Sequence, residues 1–262
     1  MDRGEIVKKR RRKQRSYTRE QYLEAMKLLQ NGLSLYKTAK TLNIPVATLY
    51  YWWRKGVKPP AAWWEPRPSK ELAYVLGVLE GDGWVHEKRR AYLILLKVKD
   101  YEFAHEFSKC LATVLNKPMK EPRYYRGYWL VEYSSKAFYY WYKTLRANLN
   151  NFRNYVEHNK ETVSAFLRGI FDSDGGQHYN KTYDIYSIRL YNTDLALLRY
   201  VQYLLSRYFS IPSHLYLGGQ ACNNRKPRYK IEIYRRPLVE RFLEMVGFTI
   251  TRKQFGLAVR RK

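Results

Sequence analysis

Tyr74-Val75-Leu76-Gly77-Val78-Leu79-Glu80-Gly81-Asp82-Gly83 is answered later in the chain by Phe166-Leu167-Arg168-Gly169-Ile170-Phe171-Asp172-Ser173-Asp174-Gly175, and this repeat decides the fold. In each copy an apolar run carries small residues four apart, Gly77 and Gly81 in the first, Gly169 and Ser173 in the second. On a helix that spacing makes a narrow face where two backbones can touch. Two such helices crossing bring their C-terminal ends together. Each end carries an aspartate, Asp82 or Asp174, followed by a glycine that lets the chain turn. A carboxylate at a helix C-terminus opposes the macrodipole, and two converging carboxylates repel, so a divalent cation is expected between them.

Oxygen-only ligands favour a hard ion, Mg²⁺ or Mn²⁺, which keeps waters and bridges phosphate oxygens. Such a centre supplies a nucleophilic water and stabilises a leaving oxygen, the chemistry of metal-dependent phosphodiester hydrolysis.

The repeat extends outward from the two motifs. Leu95-Leu96-Lys97-Val98-Lys99-Asp100 is matched by Arg189-Leu190-Tyr191-Asn192-Thr193-Asp194, each Asp expected to cap the helix that follows. Ser135-Lys136 before Phe138 is matched by Arg235-Arg236 before Pro237. Within each half the periodicities read helix, two strands, helix, two strands, helix, with strands such as Tyr92 to Val98 and Tyr183 to Tyr191 rich in β-branched and aromatic residues. The expected fold class is α/β (α+β): two αββαββα units, residues 70–160 and 161–262, in a pseudo-two-fold pair that forms a β-saddle.

The doubled motif resembles the signature of LAGLIDADG homing endonucleases, and the resemblance covers roughly residues 69–262. It implies an antiparallel β-saddle in the DNA major groove, with the motif helices above the minor groove and one acid from each motif on the metal. By position those acids are Asp82 and Asp174, with the carbonyls of Gly81 and Ser173 as further ligands. It also implies a basic residue at the end of a late strand in each half, near the active site, here Lys136 and Arg236. An arginine cannot serve as a general base, so Arg236 would act by charge alone, and phosphate neutralisation is the other role open to both. Glu80 and Asp172, at the motif's other acidic position, are expected to serve helix packing or capping. Strand alternation aims Lys97, Lys99, Arg189, Arg228 and Lys230 toward DNA, with Arg123 and Arg126 on a connecting turn.

Ahead of the repeat the character changes twice. Lys8 to Arg15 read KKRRRKQR, a basic arm (residues 1–16) that suits phosphate and buries nothing. Residues 17–57 are helical: Thr18 and Gln21 fit a capping box before a stripe of Tyr22, Leu23, Met26 and Leu29; Ser34 opens a second helix through Leu42; Val46 to Lys55 makes a third, stopped by Gly56. The run from Gly32 through Ser34, Ala39, Leu42, Ile44-Pro45, Thr48-Leu49 and Trp52 resembles a helix-turn-helix, which implies that Thr48, Tyr51 and Arg54 face the major groove. Residues 58–69, with Pro59, Pro60, Pro66 and Pro68, form a stiff linker.

Composition narrows the partner. Lys and Arg number 49 against 23 Asp and Glu in 262 residues, a formal charge of +26, and a surface of that sign calls for a polyanion. No apolar run is long enough to span a bilayer and the N-terminus has no signal-peptide core, so the expectation is a cytoplasmic protein with no membrane partner. Cys110 and Cys222 are the two cysteines, expected reduced, with no zinc-ligand spacing. The chain is therefore expected to cut a long, asymmetric site in double-stranded DNA as a monomer, free-standing and intron-encoded rather than carried in an intein. Two other classes stay open: a non-cutting DNA-binding regulator, and an RNA-splicing cofactor whose partner is RNA.

Overall fold

The computed structural model of the chain describes residues 17, 19–56, 64–89, 91–219 and 227–254. The basic block Lys8 to Arg15, the Thr18 cap, Pro59, Pro60 and Cys222 lie outside the described residues. The chain divides between Trp64 and Glu65 into two compact units.

The first unit is three helices, α1 (Arg19–Gln30), α2 (Leu35–Leu42) and α3 (Val46–Arg54). Ser34 caps α2 by accepting from the Lys37 amide at 3.3 Å, and Asn43 closes it in the left-handed region at φ 51°, a conformation asparagine tolerates. Tyr22, Ala25, Ala39, Ile44, Leu49 and Trp52 form the core, with Tyr17 edge-on to Trp52 at 5.2 Å. Leu23, expected on the inner stripe of α1, is 47% exposed: the buried face is Tyr22, Ala25 and Leu29, and residue 23 is turned about 100° away from residue 22. On α3, Leu49 and Trp52 face inward, leaving Tyr51 and Arg54 exposed and Thr48 half-buried.

The second unit carries the repeat. Its first half runs α4 (Lys70–Leu79), β1 (Trp84–Lys88), β2 (Ala91–Val98), α5 (Tyr101–Leu115), β3 (Arg123–Tyr125), β4 (Tyr128–Ser134) and α6 (Lys136–Arg146), then a short α7 (Arg153–Val156). The second half follows the same plan with α8 (Lys160–Asp174), β5 (Gly175–Asn180), β6 (Ile185–Asn192), α9 (Leu195–Phe209), β7 (His214–Gly219), β8 (Arg228–Ile233) and α10 (Arg236–Met245), ending in a short α11 (Thr251–Gln254). Each half folds into a four-stranded antiparallel sheet, ordered β1-β2-β4-β3 and β5-β6-β8-β7. The expected mixed architecture with two αββαββα units is present.

Alternation along the strands gives each sheet one buried and one open face. Ile94, Leu96, Val131 and Tyr133 in the first sheet, and Ile188, Leu190, Ile231 and Ile233 in the second, are at most 2% exposed and pack toward the helices. Burying one such side chain contributes roughly 1.5–3 kcal/mol, which fixes the register because a one-residue slip would turn the whole set outward. The opposite face carries charged and aromatic residues such as Lys97, Tyr128, Arg189 and Tyr191, with Leu95 and Leu130 among them in the first sheet. The β3–β4 hairpin turns on Arg126-Gly127, at φ 50° and 82°, as a two-residue turn between right-twisted strands requires. Arg123 is thus the first residue of β3, and of the two arginines expected on the turn only Arg126 lies there.

Asp194 caps α9 through the Leu197 amide at 3.0 Å. Asp100 occupies the equivalent position on α5 without a side-chain cap, because Arg252 of α11 takes both its oxygens at 2.9 and 2.8 Å.

Candidate metal centre and nucleic-acid interface

α4 and α8 cross in backbone contact, and the motif glycines make the contact possible. A Cβ on Gly77 would stand 2.1 Å from the carbonyl oxygen of Phe166, and one on Gly169 would stand 2.4 Å from that of Tyr74. At the end of the crossing Gly81 faces Ser173, whose Cβ would lie 2.3 Å from a Cβ on Gly81. The glycines after the aspartates serve space rather than a turn. Neither Gly83 nor Gly175 has a positive φ, and a Cβ there would press on Leu79 and Val78, or on Phe171.

The inner acids hold the motif helices in place: Glu80 ties α4 to its own half, and Asp172 ties α8 both to its own half and to α4. Glu80, 8% exposed, accepts from the Tyr142 hydroxyl at 2.7 Å and pairs with Arg146 at 3.3 Å. Asp172, 1% exposed, accepts from the Tyr74 hydroxyl and from the Thr249 amide, both at 2.9 Å. Burial raises both carboxyls while these hydrogen bonds oppose it. With their oxygens engaged, these two acids act as anchors.

The outer acids meet. A Cβ on Gly81 would lie 3.5 Å from Asp174 Oδ2, so the carboxylate of the second motif reaches the end of the first. Asn192, at the end of β6, donates to the same oxygen at 3.0 Å. Burial, together with the neighbouring Asp82, pushes the Asp174 carboxyl up to about 6. Asp82 is open to solvent on one side, yet the crowding of its other side raises it too, against the opposing charge of Lys253.

Lys253, which the motif repeat does not single out, is a basic residue of this site, and Arg228 also acts on Asp174. Lys253 sits on α11, half-buried, and donates to the carbonyl oxygen of Asp172 at 2.6 Å. Its charge acts on both Asp82 and Asp174, and burial lowers its own pKa. The signal for it, Thr251-Arg252-Lys253-Gln254 following the last predicted helix, has no counterpart in the motif-to-motif match that organised the sequence.

Among the described residues no group of three or more His, Cys, Asp or Glu converges. A cation at the crossing would therefore rest on the two carboxylates, with the carbonyls of Gly81 and Ser173 as the nearest further oxygens in sequence. Two carboxylates with most positions left to water suit Mg²⁺ or Mn²⁺, so the donor set fits.

A metal-free test follows from the raised Asp174. A carboxyl whose folded pKa lies above its unfolded value binds more protons when folded, so it destabilises at neutral pH and the loss is recovered as pH falls. From 3.8 to about 6 the cost at pH 7 is on the order of 2–3 kcal/mol. Asp174→Asn is expected to melt above the wild type at pH 7 without divalent ions, with the gap closing between pH 6 and pH 4. Thermal unfolding across that pH range checks it, and an unchanged or lower melting temperature at pH 7 would contradict it.

Residues 161–247, which include the second motif, match the family described as LAGLIDADG-like domain. The second half of the repeat thus carries a LAGLIDADG-like domain. Two uncharacterized proteins of Methanocaldococcus jannaschii are similar to it. One is 37% identical over 118 residues, 44% of this chain and 44% of that protein, so the match spans less than half of that relative. The other is 28% identical over 232 residues, 82% of this chain and 81% of that protein. Among solved structures, that of I-DmoI in complex with DNA and Ca superposes with a TM-score of 0.51 at 18% identity, covering 72% of this chain and 97% of the other. I-DmoI in complex with DNA and Mn gives 0.50 at 19%, covering 68% and 96%. At these identities the likeness establishes the LAGLIDADG fold.

Within that fold the two expected late-strand bases stand elsewhere. Lys136 and Arg236 are the first residues of α6 and α10, after the strands rather than on them. β4 runs antiparallel to β2, so its end at Ser134 pairs with Leu93, at the start of β2. The Lys136 ammonium lies 5.8 Å from the ring of Tyr92, six residues or about 20 Å of strand from the Val98 end that is equivalent to Asn192. Arg236 pairs with Glu240 at 2.9 Å on the surface, 71% exposed. The antiparallel order thus carries both bases toward the sheet ends remote from the aspartates.

The open faces of the LAGLIDADG sheets hold most of the expected DNA-binding residues. In the first half Lys97 lies over Tyr128 at 4.5 Å, Lys99 is exposed just beyond β2, and Arg123 and Arg126 both lie on the ring of Tyr125. In the second, Arg228 stacks on Tyr191 at 4.4 Å. Arg189 and Lys230 are already engaged: both donate to Glu232, at 2.5 and 2.8 Å, and against the burial that would raise it this double pairing holds the Glu232 carboxyl below the usual range. Sequence alternation found the face but not that carboxylate, which becomes visible only once Arg189 and Glu232 are known to be cross-strand partners.

Proposed function

We propose that the chain is a site-specific endonuclease that hydrolyses both strands of a long, asymmetric duplex DNA site. The observation that carries this reading is the meeting of Asp82 and Asp174 at the end of two touching helices, beside Lys253 and between two sheets with basic, aromatic open faces. The two aspartates would hold the cation, and the bound metal would supply an activated water and charge stabilisation at the phosphorus. Asn192 fixes the Asp174 carboxylate through one oxygen. Lys253 keeps positive charge beside both acids, where a phosphodiester gains negative charge as it reacts. Lys97, Lys99, Arg123, Arg126 and Arg228 would neutralise the backbone. Thr48, Tyr51 and Arg54 of the N-terminal unit would contact DNA as a helix-turn-helix does. The unlike halves suit a monomer on an asymmetric site.

The test is incubation with a randomised duplex library in Mg²⁺, followed by sequencing of new ends. Recurrent double-strand ends in one sequence support the reading. Specific duplex binding without new ends makes the chain a DNA-binding regulator, and retention of structured RNA alone makes it an RNA-binding cofactor.

Lys253→Met is expected to lower single-turnover cleavage by on the order of 10²-fold, the scale for removing one group that stabilises developing charge. Duplex affinity should stay within about threefold, because one phosphate contact among many is a small share of binding. Equal losses in binding and cleavage would make Lys253 a docking residue instead.

A further inference from the structure

The same position in each sheet carries a glutamate on the open face, and the two are treated differently. Leu95 stands opposite Glu132 across β2 and β4, and Arg189 stands opposite Glu232 across β6 and β8. Leu95 and Arg189 are equivalent in the repeat, so Glu132 meets leucine where Glu232 meets arginine. Glu232 is neutralised by Arg189 and Lys230. Glu132 is exposed between Val131 and Tyr133, 2% and 1% exposed, which places its side chain on the face away from the helices. Lys97, its diagonal neighbour, turns to the ring of Tyr128, and Lys120 donates to the backbone carbonyl of Glu132 at 3.0 Å. Among the described residues no side chain pairs with the Glu132 carboxylate.

An unpaired carboxylate on the binding face of a chain with charge +26 repels the polyanion it faces. It becomes favourable only where the DNA offers a hydrogen-bond donor. In the major groove the donors are the amino groups of cytosine and adenine; guanine presents acceptors, and thymine an acceptor and a methyl group. Adenine sets an acceptor nitrogen beside its amino group, against the second carboxylate oxygen, whereas cytosine does not. Resting on the duplex-DNA reading above, we infer that Glu132 is a specificity-determining residue that accepts a hydrogen bond from the amino group of one cytosine in the half-site covered by the first sheet.

Capture of full-length protein on a randomised duplex library in Ca²⁺, with the bound sequences read out, tests this. The wild type should enrich cytosine at one position by on the order of tenfold or more. Glu132→Ala should flatten that position alone. Glu132→Gln should move it toward adenine, since an amide offers the donor and acceptor that adenine's edge requires. Recovery of the rest of the site unchanged shows that the variants are folded. A specific site whose composition is the same in wild type, Glu132→Ala and Glu132→Gln overturns the inference and leaves the duplex-DNA reading standing. A wild type that selects no duplex sequence overturns both.

Discussion

Asp82→Asn and Asp174→Asn are each expected to abolish double-strand cleavage of the selected site while duplex binding survives. An amide of the same shape keeps the packing but would remove one of the two proposed anionic ligands, and the cation would lose much of its hold. The metal's contribution to activating water and stabilising charge is several kcal/mol, and each 1.36 kcal/mol is tenfold in rate. The expected loss is therefore on the order of 10³-fold or more in single-turnover cleavage. Binding should fall little or rise, because each substitution removes a negative charge from the DNA side of the chain. Misfolding does not confound Asp174→Asn, which is expected to melt above the wild type without metal. Residual double-strand cleavage within tenfold of wild type by either variant would mean that the two carboxylates do not share a cation.

The largest expected effect on stability lies in the crossing of α4 and α8. Alanine is a better helix former than glycine by about 0.8–1 kcal/mol, so propensity alone favours Gly77→Ala and Gly169→Ala. Space decides otherwise, since the added methyl would lie 2.1 Å from a backbone oxygen at Gly77 and 2.4 Å at Gly169. A backbone atom in a neighbouring helix cannot rotate away as a side-chain tip can, so the helices must separate and carry Asp82 and Asp174 apart. Each substitution is expected to cost about 3 kcal/mol or more, at the upper end for overpacking, and to lower cleavage further in whatever fraction still folds. Gly176→Ala is the control, with nothing within 4 Å of the added methyl and an expected change near zero. Chemical denaturation of the three variants measures this. Equal midpoints for Gly169→Ala and Gly176→Ala would show that the helices do not touch there.

The features legible in the sequence are those carried by local spacing and repetition. Two glycines four apart in an apolar run, doubled, place two helices in contact; an acid at the same place in each motif puts two carboxylates together; period-two alternation gives the sheets their open faces. What the sequence left hidden depends on pairing between distant segments. Lys136 and Arg236 follow β4 and β8, but only the antiparallel register shows that these strand ends lie away from Asp82 and Asp174. Asp100 has the sequence of a helix cap and is instead held by Arg252, more than a hundred residues away along the chain. Lys253 falls outside the repeated pattern altogether. Glu232, which decides what Arg189 and Lys230 are free to do, needs the β6–β8 register before its role can be seen. The glycines after the aspartates were expected for their backbone freedom, and their actual reason is crowding by the preceding helical turn.

Crystals of the chain with its selected duplex, grown with Mn²⁺ and measured at the manganese edge, would show which carboxylates hold the cation. Anomalous density is expected within bonding distance of carboxylate oxygens from both Asp82 and Asp174, with Glu80 and Asp172 still bound to their tyrosine and backbone partners. Manganese on Glu80 or Asp172, or none near either motif while the duplex lies across the sheets, would contradict that arrangement.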